Sequence, residues 1–152
     1  MVTAGLALGG YIGLFLSAFF AATLLPLSSE AVLVALSQAR GFDVLLLLVV
    51  ATLGNTLGAM VNWALGRFCL KWRDRNWFPF SPPQLEGAAG WFRRYGAWSL
   101  LFAWMPVVGD PLTFAAGVLR VRFVLFVILV ALGKGARYIA VVALAGTVTV
   151  SP

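Results

Sequence analysis

Two stretches of the chain, Val44 to Leu65 and Phe123 to Gly146, are apolar enough over more than twenty residues to span a bilayer. At about 1.5 Å per residue a helix of either length covers the roughly 30 Å hydrocarbon layer. Both stretches are therefore predicted to be transmembrane helices. Two further apolar stretches, Tyr11 to Ala39 and Ala97 to Leu119, are interrupted in the same way. The first contains Leu25-Pro26-Leu27-Ser28-Ser29-Glu30 and the second Met105-Pro106-Val107-Val108-Gly109-Asp110-Pro111. In each, an acid follows a proline by four positions. Proline removes a backbone donor and clashes with the preceding turn, so Pro26, Pro106, Gly109 and Pro111 mark the predicted breaks. Backbone freed at membrane depth is tolerated only where it is buried in protein or lines a wet cavity.

The halves match as units. Glu30 and Asp110 are 80 positions apart, and Leu53-Gly54-Asn55 and Leu132-Gly133-Lys134 are 79 apart. This spacing predicts a duplication within one membrane domain over 1–152: repeat 1 over about 11–66, a linker over 67–96, and repeat 2 over about 97–147. If each broken segment enters and leaves on one side, each half makes a net single crossing and the second half is inverted. The expected fold class is then an all-α integral membrane protein of two inverted repeats, each a re-entrant helical hairpin followed by a transmembrane helix. Four ordinary kinked spans are the competing topology.

Composition narrows the chemistry. With 62% apolar and 11% charged residues, the chain is too oily for an ordinary cytosolic enzyme. It has no His, one Cys (Cys69) and five acids, which leaves no zinc site of the usual kind, no disulfide framework and no His-based triad. No cofactor or metal is expected, and the chain is read as a non-enzyme. The net charge of +6 does not point to nucleic acid. Arg67, Lys71, Arg73, Arg75, Arg93 and Arg94 are interleaved with Trp72, Trp77 and Trp91, the mixture selected at a membrane interface. The linker is thus expected to be cytoplasmic. Within it, Ser81-Pro82-Pro83-Gln84 is a capping-box pattern that starts a short amphipathic helix on the membrane surface, closed by Gly96. No Lys or Arg precedes Arg40, so the first apolar run does not read as a signal peptide.

Charges inside the apolar runs are the candidate site. Glu30 and Asp110, at matching positions, are expected to form a proton-responsive pair, or else to cap half-helix N-termini. Lys134 and Arg137, at a depth where charge is costly, should face a partner or a cavity. Gly54, Asn55 and Gly58 are read as a helix-packing face.

The first broken segment, Gly54-Asn55-Thr56-Leu57-Gly58, Asn62 to Arg67, Arg94-Tyr95-Gly96, Pro106, Gly117 and Arg120 together resemble the DedA superfamily, also called the VTT or SNARE-associated family. Gly109-Asp110-Pro111 resembles its YqaA branch, and the likeness runs from about Gly13 to about Ala143. It implies two facing re-entrant hairpins, a bacterial inner-membrane location, and movement of phospholipid or polyprenyl phosphate between leaflets, with proton dependence. It also implies that Glu30 is the family's hairpin carboxylate. The family's arginines three residues before and after the second-hairpin proline are absent, those positions being Ala103 and Gly109. In their place Asp110 takes a charged role, with Arg120, Arg122 or Arg137 as counter-cation.

Three functions are consistent with these readings: a lipid flippase or scramblase, a proton-coupled transporter of a small soluble solute, and a non-transporting scaffold. The expected partners are membrane lipids and, for a coupled mechanism, protons; homo-oligomerisation stays open. A lipid path should run from the hairpin tips toward Trp72, Trp77 and Trp91 at the interface.

Overall fold

In a bilayer the backbone of a long apolar run must satisfy its own hydrogen bonds, which makes it helical. The computed structural model describes residues 4–23, 29–68, 71, 74–76 and 80–148, and every regular element among them is a helix. In chain order these are α1 (Ala4–Ala21), α2 (Ser29–Gln38), α3 (Val44–Phe68), α4 (Pro82–Tyr95), a 3-10 helix (Gly96–Phe102), α5 (Gly109–Val118) and α6 (Phe123–Val148). Pro26, Cys69, Trp72, Arg73 and Trp77 lie outside the described residues.

α3 and α6 are the two expected spans, prolonged to Phe68 and Val148. α1 is a third helix long and apolar enough to cross a membrane. It begins well before Tyr11: Leu6, Ala7 and Leu8 favour a helix, and the cost of Gly5, Gly9 and Gly10 is outweighed in lipid, where the backbone must bond to itself. α2 and α5, at 10 residues each, reach only about 15 Å, half the hydrocarbon thickness.

Side-chain register sets the directions. Gly54 and Gly58 of α3 lie against Phe15–Ala18 and Phe19–Ala22 of α1, so α1 and α3 run parallel. A Cβ on either glycine would stand 2.5 Å from an α1 carbonyl oxygen, closer than such atoms pack. The absent side chain is what lets the helices meet, as the small-xxx-small spacing predicted. α6 runs the other way: Phe123 and Phe126 pack on Trp63, whereas Lys134 meets Asn55. The Tyr11 hydroxyl accepts from the Asp43 amide at 3.0 Å, so α1 begins at the end of the molecule where α2 finishes and α3 starts. Val142 packs into the same cluster, around Leu14, Leu47 and Tyr138, which brings the end of α6 there too. The opposite end gathers Arg67, α4, the end of α5 and the Arg120–Arg122 turn. Buried Asn62 ties the layers together, donating to the Ala22 carbonyl at 2.8 Å and to the Thr113 hydroxyl at 3.3 Å.

α4 starts as its sequence predicts. The Ser81 amide donates to Gln84 Oε1 at 2.9 Å, completing the capping box, and Gly96 ends the helix with φ 61°. Its apolar stripe, however, is not left to the membrane alone. Ala88 and Phe92 are buried with Leu100, Ala103, Leu112 and Ala115, so α4 packs on the second hairpin. Arg93 and Arg94 stay exposed.

The second hairpin turns at Pro106. Val108 donates to the Pro106 carbonyl at 2.8 Å across Val107, whose φ is 72°. A β-branched residue in that region is an outlier, and a three-residue turn of this hand is rare and strained. Pro111, expected as a break, is instead inside the first turn of α5. No intrahelical acceptor exists for an amide there, so a proline costs nothing and helps begin the helix.

Candidate functional site

The second-hairpin tip, the start of α2 and the middles of α3 and α6 enclose a cavity of about 340 Å³. Its chemistry comes from all four. α2 contributes Ser29 and Glu30, α3 contributes Asn55, the second hairpin contributes Trp104 to Val107 and Asp110, and α6 contributes Lys134, Arg137 and Tyr138. The α6 residues follow an i, i+3, i+4 spacing that puts all three on one helix face.

Charges across the cavity are matched. Arg137 forms an ion pair with Glu30 and also donates to the Trp104 carbonyl, so one guanidinium ties α2, α6 and the second hairpin together. Lys134 is only 5% exposed and donates to the Asn55 side-chain oxygen and, at 3.4 Å, to its backbone carbonyl. Asp110 faces both cations electrostatically. Among the described residues its carboxylate has no hydrogen-bond partner, and it stands in the first turn of α5. Two cations and two carboxylates thus line one pocket among apolar helices. Burial raises the strength of each interaction and makes the balance of charge matter.

A second, apolar groove of about 580 Å³ runs along the outer face of α6, walled by Leu101, Leu132, Ala136, Ala140 and Leu144. It shares Glu30, Trp104 and Arg137 with the polar cavity. The polar pocket and the greasy surface are therefore neighbours, with the Glu30–Arg137 pair between them. The groove climbs α6 toward Leu144, away from Trp91, which packs instead on Tyr95 and Phe102.

The structure brings together Glu30, Asp110, Lys134 and Arg137 of the residues singled out from sequence, with Pro106 at the rim and Gly109 buried beneath. It does not bring Arg120 and Arg122. They are exposed in the turn after α5, about 15 Å along that helix from Asp110, because nearness in sequence runs along a helix and not across it. Asn55 is reassigned as well: one position on from Gly54 rotates it roughly 100° off the packing face and toward α6, where it bonds to Tyr138 and Lys134. Ser29, Trp104 and Tyr138 were not anticipated. Only the spacing of Tyr138 from Lys134 carried a signal for any of them.

Three long apolar helices around a charged pocket that adjoins an apolar groove define an integral membrane protein built around a polar site. Over residues 25–147 the chain matches the VTT domain, and it belongs to that family. It is 44% identical over 130 residues to the inner membrane protein YqaA of Escherichia coli, covering 86% of this chain and 87% of that one. A Haemophilus influenzae protein is 39% identical over 134 residues, covering 84% and 82%. Undecaprenyl phosphate transporter A of Staphylococcus aureus is 26% identical over 135 residues, covering 82% and 66%. No solved structure matches the chain.

Proposed function

We propose that this protein moves an amphiphilic lipid between the leaflets of a bacterial inner membrane. One observation carries the reading: the polar cavity and the apolar groove share Glu30, Trp104 and Arg137, so a headgroup and its own acyl chain have adjoining places. A soluble solute needs the cavity but has no use for the groove. The relative named as an undecaprenyl phosphate transporter supports a lipid with a phosphate headgroup. Lys134 and Arg137 supply from α6 the positive charge that Ala103 and Gly109 lack, and Glu30 and Asp110 are the groups through which protons would act.

The antiparallel course of α3 and α6, each preceded by a short helix running against it, supports two inverted repeats over about 11–66 and 97–147. Reconstituted protein is expected to move a fluorescent phospholipid between leaflets at least severalfold faster than empty vesicles do. Well-folded protein that moves no lipid, with or without a pH gradient, but accumulates a soluble substrate would replace this reading with solute transport.

The basic end of the molecule fixes the proposed orientation. Arg67, Arg75, Arg93, Arg94, Arg120 and Arg122 lie there, against Arg40 at the other end, so α4 should be cytoplasmic. Single cysteines at Gly5 and Thr147, in a Cys69→Ser background, are expected to react with an impermeant thiol reagent in spheroplasts, while one at Glu86 stays protected. The reverse pattern would turn the molecule over.

A further inference from the structure

The side chains between Lys134 and Ser29 form a chain of hydrogen bonds that runs through Asn55 and Tyr138. An ammonium only donates, so the Asn55 atom facing Lys134 must be Oδ1. That leaves Asn55 Nδ2 to donate to the Tyr138 hydroxyl, at 2.7 Å. The Tyr138 hydroxyl then meets Ser29 Oγ at 2.9 Å, a contact in which either oxygen can donate. With Tyr138 as the donor, Ser29 Oγ is an acceptor on its protein side and keeps its own proton. Among the described residues that proton has no acceptor, although Ser29 is only 4% exposed and lines the cavity next to Glu30.

We infer that Tyr138 is a positioning residue that holds the Ser29 hydroxyl as a donor into the cavity, where it binds a phosphate oxygen of the transported molecule. This rests on the lipid reading only for the source of that phosphate. An unpaired donor on a buried side chain is costly unless a ligand completes it, and an acceptor-rich headgroup does so. The position of Ser29 beside the Glu30–Arg137 pair places this neutral donor at the boundary between cavity and groove, where headgroup meets tail.

Dihexanoyl phosphatidic acid, titrated calorimetrically into detergent-solubilised protein, tests the arrangement. Ser29→Ala should weaken binding about tenfold, the usual loss for one hydrogen bond to a charged group. Tyr138→Phe, which keeps the ring, should weaken it severalfold by freeing the serine to turn away. The double variant should bind no more weakly than Ser29→Ala, because the two side chains act as one device. Dihexanoylglycerol, which has no phosphate, should bind all four proteins alike. Additive losses, or equal losses for the glycerol probe, would show a merely structural role and overturn the inference while leaving the lipid reading in place. Glycerol 3-phosphate binding as tightly as the lipid, with the same variant pattern, would support the donor chain and overturn the lipid source. Wild-type protein that binds neither phosphate probe would overturn both.

Discussion

Proteoliposomes carrying Glu30→Ala are expected to move phospholipid at least tenfold more slowly than wild type, with insertion and yield unchanged. The Glu30 carboxylate is the direct ion-pair partner of Arg137 at the one place where cavity and groove meet. Without it, Lys134 and Arg137 face Asp110 alone, and the pocket passes from balanced to net positive. A phosphate arriving there would be held and not released, since a passage site must bind weakly enough to let its cargo leave. Arg137→Leu should be as damaging for the opposite reason, leaving a carboxylate that repels phosphate. The exchanged pair, Glu30→Arg with Arg137→Glu, is the decisive control. Partial recovery would mean that balanced charge at the boundary is what matters, and no recovery would mean that Glu30 itself exchanges a proton. Unaltered transport by a normally inserted Glu30→Ala protein would remove the pair from the mechanism.

Gly117→Val and Gly66→Val are each expected to prevent stable folding, costing more than about 3 kcal/mol, the range of severe overpacking. A Cβ on Gly117 would collide with the Trp63 carbonyl of α3, and one on Gly66 with the Phe114 carbonyl of α5. Backbone cannot rotate aside as a side chain can, so the α3–α5 contact must open and take the hairpin with it. Gly9→Val and Gly13→Val provide the contrast, because nothing lies within 4 Å of a Cβ at either site. Trypsin resistance and monodispersity in detergent should be lost for the first two variants and kept for the second two. A well-folded Gly117→Val protein would mean that α5 does not pack this closely.

How much of this was legible in the sequence depended on whether a residue broke its local pattern. Glu30, Asp110, Lys134 and Arg137 stood out because a charge in an apolar run has few inexpensive explanations, and all four line the cavity. Ser29 and Tyr138 did not, since a hydroxyl is common both at helix starts and near headgroups. Trp104 contributes its carbonyl, an atom that no side-chain pattern advertises. Pro111 was misread because a proline that breaks a helix and one that begins it look alike until the helix start is known. Of the three arginines offered as counter-cation to Asp110, only Arg137 lines the cavity, because Arg120 and Arg122 follow α5 and are carried to its far end. α1 begins at Ala4, ahead of the Tyr11 boundary, because an apolar helix in lipid tolerates the glycines that precede that residue.

The ties of α6 also bear on the order in which the molecule can be assembled during synthesis. Lys134 bonds to Asn55, 79 residues earlier, and Arg137 to Glu30 and to Trp104, 33 residues earlier, so every partner of these two cations has already been made when α6 leaves the ribosome. The last helix is the one that could least bear to meet lipid alone. A chain released before α6 is threaded would leave Glu30 and Asp110 without their counter-charges, at a depth where a lone carboxylate is costly.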